Sequence, residues 1–156
     1  MKKILVAIDD TPVSMKAVEY AGQFGGAADV QISLVHVLPN LPALLWDDGH
    51  ILSETEKAEQ RKVIDKWLAG RKMKMEPVFK KAVDLLTRMG VKADQIQVKS
   101  ISDSTDIAES LLEEARNGGY QTLIVGRCDH RAKHILGSVS GKIVAQGRGM
   151  TVTVVE

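Results

Sequence analysis

The chain has 156 residues, of which 44% are hydrophobic and 26% charged, and its net charge is +1. This length supports one domain with a substantial core, and we expect residues 1–156 to form that single domain. The near-neutral charge argues against a nucleic-acid or membrane surface, and an aromatic content of 4% leaves few platforms for stacking bases. A single cysteine fits a reducing compartment, and the sequence has no signal-peptide or membrane-span pattern, so we expect a cytoplasmic protein.

The first forty residues predict a strand, a helix and a second strand. The apolar run at residues 4–8 is typical of a central parallel strand, and it ends at Asp9. Thr11 and Pro12 are residue types that favour a helix N-cap and a first helical position, so a helix follows. A second apolar run at residues 30–38 predicts the second strand.

Two helices and a third strand are expected in the middle of the chain. Ser53 and Glu56 have capping-box spacing, which predicts a helix that runs to about Gly70. A separate helix is expected over residues 76–89, with the residues between the two serving as linker or as helix continuation. Residues 95–101 alternate between apolar and polar, which favours a third strand near a sheet edge.

The last third of the chain predicts two more strand–helix units. Asp103 is a candidate N-cap for a helix that ends at a pair of glycines. Residues 123–125 are typical of a buried strand, and a polar, cationic segment leads from them to a helix that begins near Gly137 and Ser138. Residues 151–155 predict the fifth strand.

Alternating strands and helices of these lengths predict an α/β fold, with a single doubly wound five-stranded parallel sheet, helices on both faces, and a Rossmann-like or flavodoxin-like topology. Such sheets bind ligands at the carboxyl ends of the strands, where the strand order reverses. If strands one and four are neighbours there, Asp9 and the segment from Gly126 to Ser138 face one crevice. The helix start at Ser138 could bind an anion, although an ordinary strand–loop–helix connection has the same pattern.

No catalytic or metal-binding arrangement is predicted. Cys128, Asp129, His130 and His134 are residue types that bind metals, but we expect no metal site from them. Cys128 could be a redox-reactive thiol or an inert one. No nucleophile–histidine–acid set can be placed on one face, so we do not expect an enzyme, although slow ATP hydrolysis could accompany nucleotide binding.

These residues resemble the universal stress protein family. The shared features are a first strand that ends in Asp9, a second strand that ends in His36 and Val37, and a loop similar to G-x-x-G-x9-G-[ST] between Gly126 and Ser138. The resemblance covers nearly the whole chain and implies the fold of the adenine nucleotide α-hydrolase-like proteins. It also implies a homodimer that pairs its last strands, which would place Val152 and Val154 at the interface.

The resemblance further implies an adenine-nucleotide site that holds ATP or AMP, with or without Mg²⁺. The ribose would meet the acid after strand one, the adenine would lie against the ends of strands one and two, and the phosphates would meet the loop and the helix start. The matching positions are Ala7, Ile8, Asp9, Val37, Val125, Gly126, Arg127, Gly137, Ser138 and Val139.

The loop departs from the family motif in two ways. Asp129 replaces the second glycine, and ten residues separate Gly126 from Gly137 where the motif has twelve. Two like unit charges about 4 Å apart repel by about 4 kcal/mol at an effective dielectric constant of about 20, so a carboxylate there would disfavour phosphate unless it points away or joins a metal. The alternatives are a nucleotide-responsive stress or signalling module, a dimeric stress protein that acts through protein partners without nucleotide, and a small hydrolase or metal-dependent enzyme.

Overall fold

The computed structural model describes residues 1–38, 53–102, 104–127 and 137–156. Five parallel strands form one sheet in the order β3-β2-β1-β4-β5. The strands are β1 (Lys2–Ala7), β2 (Val30–Val37), β3 (Ile96–Ile101), β4 (Thr122–Gly126) and β5 (Thr151–Val155). The helices are α1 (Pro12–Gly22), α2 (Glu54–Arg88), α3 (Ile107–Asn117) and α4 (Ser138–Gln146). The predicted doubly wound α/β fold is confirmed, with β3 at a sheet edge as expected.

Two apolar layers enclose the sheet. On one face, α1 and α2 cover fully buried side chains of the three central strands, such as Ile4, Ile32 and Ile124. On the other face, α3 and α4 cover Leu5 and Leu123, which are also fully buried. The continuous apolar runs of the sequence are therefore the central strands, because both of their faces are packed.

The strand order reverses at β1. The chain passes outward from β1 to β2 and β3, and then returns to the other side of β1 as β4. Ile4 pairs with Ile32 of β2 and with Thr122 of β4 in a parallel register. The carboxyl ends of β1 and β4 consequently lie side by side, which is the neighbourhood expected from the sequence.

The helix boundary expected near Gly70 is wrong, because α2 is one helix from Glu54 to Arg88. The capping box at its start is confirmed: Glu56 N donates to Ser53 Oγ over 3.2 Å, and Ser53 N donates to Glu56 Oε2 over 2.7 Å. Pro77 lies inside the helix and cannot donate to the carbonyl of Met73. Met73 is 70% exposed, so water can satisfy that carbonyl group.

The N-cap predicted for α3 is also wrong. Asp106 caps this helix, and its Oδ1 accepts a hydrogen bond from Glu109 N over 3.0 Å. Asp103 lies outside the described residues. Asp106 has a second partner, because Lys142 Nζ of α4 donates to its Oδ2 over 2.5 Å. A tertiary ion pair therefore accompanies the cap, and local spacing could not reveal it.

No helix in the described ranges combines the length and the apolar composition that crossing a membrane requires.

Candidate functional site

A cavity of about 240 Å³ opens at the carboxyl ends of β1, β2 and β4, where the strand order reverses. Its wall is apolar on the strand side and polar where α1 and α4 begin. The described residues that line it are Ala7, Ile8, Asp9, Asp10, Thr11, Ser14, Val35, His36, Val37, Arg71, Ile107, Leu111, Val125, Gly126, Gly137, Ser138, Val139 and Ser140. A concave, largely apolar site with a few convergent polar groups is the usual form of a small-molecule site.

Asp9 is held by the start of α1. Its Oδ1 accepts hydrogen bonds from the backbone N–H of Thr11, over 2.9 Å, and from the Thr11 hydroxyl. Its own backbone N–H donates to Ser14 Oγ over 2.9 Å. Asp9 Oδ2 has no hydrogen-bond partner among the described residues, so it can accept a hydrogen bond from a ligand hydroxyl. Asp9 is therefore a pre-oriented acceptor, since its other oxygen already fixes the carboxylate plane.

His36 joins the ends of two strands. Its Nδ1 lies 2.8 Å from the carbonyl oxygen of Ile8, and the imidazole is edge-on to the Phe79 ring at a centroid distance of 6.5 Å. Because a carbonyl oxygen only accepts, Nδ1 carries the proton in this contact, and Nε2 is the acceptor of the neutral ring. His36 is 9% exposed and lines the cavity, so its hydrogen bond ties the end of β2 to the residue that follows β1.

Gly126 brings β4 close to α1. A Cβ atom at this position would lie 2.6 Å from Val13 Cγ1 and 3.3 Å from the Val13 carbonyl carbon. No side chain larger than hydrogen fits there without movement of α1. The glycine therefore has a packing role that holds independently of any ligand.

The start of α4 forms the polar wall opposite Asp9. Gly137 is the N-cap and has no side chain to cap the helix, and the first turn contains no acidic residue. The Ser140 hydroxyl donates to the Gly137 carbonyl over 3.3 Å. The first N–H groups of a helix carry partial positive charge, so this end favours a negatively charged ligand group.

An ion pair fixes the two helices on this side of the cavity. Lys142 of α4 bonds to Asp106 at the start of α3, over 2.5 Å, and lies 3.9 Å from Glu109. The hydrogen bond from Lys142, followed by that from the Glu109 N–H, lowers the pKa of Asp106 below its usual value. The same hydrogen bond with Asp106 raises the pKa of Lys142. Both groups are therefore held in their charged forms.

The cavity brings together nine of the ten positions implied by the family resemblance: Ala7, Ile8, Asp9, Val37, Val125, Gly126, Gly137, Ser138 and Val139. Arg127 is not among the lining residues. Its backbone N–H donates to the Val155 carbonyl over 2.7 Å, and its guanidinium is paired with the Glu156 carboxylate. The role of each of these positions in binding a nucleotide stays a prediction.

Nine lining residues were not among the predicted site positions, and Arg71 is the only arginine or lysine of these described residues. It follows the helix end expected near Gly70, in the stretch left as linker or helix continuation, and it lies in the middle of α2. A continuous helix places Arg71 one turn before Met75, which is 4% exposed and belongs to the core. Had the helical period been followed through Gly70, Arg71 would have been placed on the inward face.

The cluster of Cys128, Asp129, His130 and His134 lies outside the described residues. The same holds for the nearby cations Arg131 and Lys133. The expectations about a metal site and a reactive thiol therefore stay expectations.

The sheet order and the cavity at its reversal define a Rossmann-like α/β protein with a cavity at the switch point, where such folds usually bind their ligands. The universal stress protein family model matches residues 1–155. The chain belongs to the universal stress protein family. A comparison with curated protein sequences gives no match.

Solved structures of this family share the fold. A universal stress protein in complex with cAMP is 17% identical, with a TM-score of 0.65 over 99% of this chain and 96% of that chain. The universal stress protein from Archaeoglobus fulgidus in complex with dAMP is 14% identical, with a TM-score of 0.60 over 100% and 98%. A family member from Arabidopsis thaliana with AMP bound is 16% identical, with a TM-score of 0.62 over 99% and 90%.

Proposed function

We propose that this chain binds an adenine nucleotide in the cavity at the carboxyl ends of β1 and β4. The observation that carries the proposal is the convergence of three features on one cavity: an acceptor with a free oxygen, an apolar wall, and a helix start with no acidic residue in its first turn. The relatives crystallised with cAMP, dAMP and AMP support the same class of ligand.

Each part of the ligand has a matching part of the site. Ile8, Val37 and Val125 offer apolar surface to the adenine ring, and Asp9 Oδ2 can accept a hydrogen bond from a ribose hydroxyl. The phosphate would meet the start of α4 at Ser138, where unpaired N–H groups and the helix dipole favour an anion. AMP and ATP are both candidates, and Mg²⁺ would enter with the triphosphate.

The proposed role is that of a binding module in stress response or signalling, and we do not assign it an enzymatic activity. The cavity presents an acceptor and an anion site, whereas acid–base chemistry at a phosphate would need a further base within hydrogen-bond reach of a water molecule. The near-neutral charge and the single cysteine support a cytoplasmic location.

Calorimetric titration of the purified protein tests the proposal, with AMP and ATP as ligands and with or without Mg²⁺. We expect a dissociation constant in the micromolar range, about 8 kcal/mol of binding free energy, and its loss in Asp9→Ala. Asp29→Asn is the matched control, because Asp29 pairs with the N-terminal amine and does not line the cavity. Absence of heat up to millimolar ligand would overturn the proposal, and that outcome would agree with the shortened, Asp129-containing loop.

A homodimer formed through β5 is a second proposal, and it holds whether or not nucleotide binds. In the described chain, β5 pairs with β4 alone and is an edge of the sheet. Thr151 N donates to the Gln121 carbonyl, and the Val155 carbonyl accepts from Arg127 N, so these two residues face β4. Because alternate residues bond opposite neighbours, the N–H and C=O groups of Val152 and Val154 point to the open edge, where a second copy could pair. If nucleotide does not bind, this open edge supports the alternative function, a dimeric stress protein that acts through protein partners.

A further inference from the structure

We propose that Arg71 of α2 binds the phosphate of the ligand and makes the cavity selective for adenine nucleotides over adenosine. This inference rests on the proposed function, and it identifies a contact that comes from outside the loop and the helix start of the family motif.

Arg71 is positioned by the packing of α2. It lines the cavity together with Asp9, Asp10 and Ser138, and it is half-buried. One turn further along, Met75 is buried in the core, which fixes the rotation of the helix about its axis. Lys74, on the adjacent position of the same helix, lies 3.8 Å from Asp10. The buried Met75 thus keeps this turn of α2, and with it the backbone of Arg71, at the cavity wall.

The guanidinium of Arg71 remains available to a ligand. It makes no ion pair with any carboxylate in the described ranges, and it lies 5.6 Å from the ring centroid of Trp67. A cation stacked on an aromatic face is held in place while its N–H donors still point outward from its edge. Such a fork of donors matches the oxygens of a phosphate group, which it can bind through two parallel hydrogen bonds.

Three other described cations near this end of the sheet each have a carboxylate partner. Lys74 lies beside Asp10, Lys142 is bonded to Asp106, and Arg127 is paired with Glu156. Arg71 is the only arginine or lysine among the described residues that line the cavity. Asp9 also lines the cavity and has no ion-pair partner in the described ranges, so an incoming phosphate would meet a carboxylate that the charge of Arg71 can compensate. The loop between Gly126 and Gly137 is two residues shorter than the family motif, so a contact from α2 could replace part of its phosphate cradle.

The test compares the affinities of AMP and adenosine for three proteins by calorimetry. The wild-type chain is expected to bind AMP about 10- to 100-fold more tightly than adenosine, which is the range of hydrogen bonds to a charged group. Arg71→Gln is expected to remove most of the preference for AMP, with the remainder due to the start of α4, and to leave the adenosine affinity unchanged. Arg71→Lys should recover part of the difference, because the charge is kept and the fork is lost.

Lys72→Gln is the matched control, since Lys72 is exposed, adjacent in sequence and absent from the cavity wall. It removes the same charge from the same helix and should leave both affinities unchanged. Glutamine has good helix propensity, so α2 is expected to stay intact, and circular dichroism with thermal unfolding checks this for each variant.

Trp67 provides a second measurement that reports on Arg71 directly. The chain has two tryptophans, so a Trp46→Phe background leaves Trp67 as the only emitter at its wavelength. AMP should change the Trp67 fluorescence, because the phosphate moves the stacked guanidinium, and adenosine at saturation should change it much less.

The outcomes separate this inference from the proposed function. If Arg71→Gln binds AMP as tightly as the wild type does, the inference is overturned and the nucleotide site stands. The same conclusion follows if the variant's affinities for AMP and for adenosine fall by the same factor. Equal affinities of the wild type for AMP and adenosine would overturn it too. If neither ligand binds to the wild type, both the proposed function and this inference are overturned.

Discussion

The backbone N–H of Thr11 donates to Oδ1 of Asp9 over 2.9 Å, and the Thr11 hydroxyl donates to the same oxygen. Thr11 is the N-cap residue of α1, and its side chain makes no bond to the helix that it precedes. The hydroxyl that could cap α1 is instead used to orient a carboxylate. One oxygen of Asp9 thus orients the side chain at the cavity, and the other has no hydrogen-bond partner among the described residues.

Asp9→Asn should separate these two roles. The amide oxygen can still accept from Thr11, so the free energy of unfolding should change by less than about 1 kcal/mol. The amide NH₂ replaces the free acceptor, so AMP affinity should fall about 10- to 100-fold, as expected when a hydrogen bond to a charged group is lost. Calorimetry with AMP and with its 2′,3′-dideoxy analogue checks this. The preference for AMP should vanish in the variant, and a preference that survives would show that the ribose is not bound by Asp9.

Gly126→Ala should destabilise the fold even without ligand. Its Cβ would be forced to within 2.6 Å of Val13 Cγ1, and overpacking of this kind costs about 1–3 kcal/mol. Urea denaturation of the two single variants and of the double variant with Val13→Ala measures the coupling. The loss in free energy of unfolding in the double variant should be smaller than the sum of the losses in the two single variants. Strictly additive losses would mean that the close approach of β4 to α1 is not the reason for the glycine.

The Asp106–Lys142 ion pair should make stability fall in acid. The pKa of Asp106 is lowered in the folded chain, so its contribution is fully present above the ordinary aspartate pKa of about 3.9 and is lost as pH falls through the lowered value. The pKa of Lys142 is raised, so its contribution is present below the ordinary lysine pKa and is lost only in strong alkali.

Asp106→Asn keeps a side-chain oxygen for the N-cap and removes the charge. We expect this variant to be less stable than the wild type at neutral pH, and the difference should shrink toward acid pH, as measured by urea denaturation at a series of pH values. Lys142→Gln should give a similar loss, and the double variant should lose little more than either single one. If the difference in the free energy of unfolding between Asp106→Asn and the wild type does not change with pH, the charge of Asp106 does not contribute to stability as proposed.

Val154→Pro should disrupt the proposed dimer and preserve the fold. Proline lacks the N–H group that Val154 points toward the open edge, and an edge strand tolerates proline there. Val154→Thr is the control, because threonine keeps the N–H group and favours strands. Sedimentation velocity should report a dimer for the wild type and for the threonine variant, and a monomer for the proline variant. If the wild-type protein is a monomer even at high concentration, the proposed interface through β5 is wrong.

The elements closest to the cavity were the most predictable from the sequence. The apolar run that ends at Asp9, the Thr11–Pro12 helix start and the second strand correspond to observed elements within about two residues, since each has strong local signals. The pairing of strands one and four was only a condition in the sequence analysis, because general rules allow more than one strand order, and the structure shows that it holds.

The failures concern tertiary contacts. Gly70 predicts the end of a helix, yet α2 continues past it with Met75 and Leu86 buried, and the burial of those side chains outweighs weak local propensity. Asp103 and Asp106 are both acceptable N-cap residues by type, and the ion pair of Asp106 with Lys142, 36 residues away in sequence, is not visible in the local pattern. Arg71 was missed for a similar reason: its position at the cavity depends on the continuity of α2.

The central position of β1 has a consequence for synthesis of the chain. One edge of β1 pairs with β2, which begins at Val30, but the other edge must wait for β4, which begins at Thr122. While the ribosome makes the residues between them, β1, whose Ile4, Leu5 and Val6 are apolar, keeps one row of N–H and C=O groups unpaired, and such edges are sites of misassociation. Completion of the sheet therefore comes late in translation, and the nascent half-sheet is the form of this protein that chaperones would have most reason to bind.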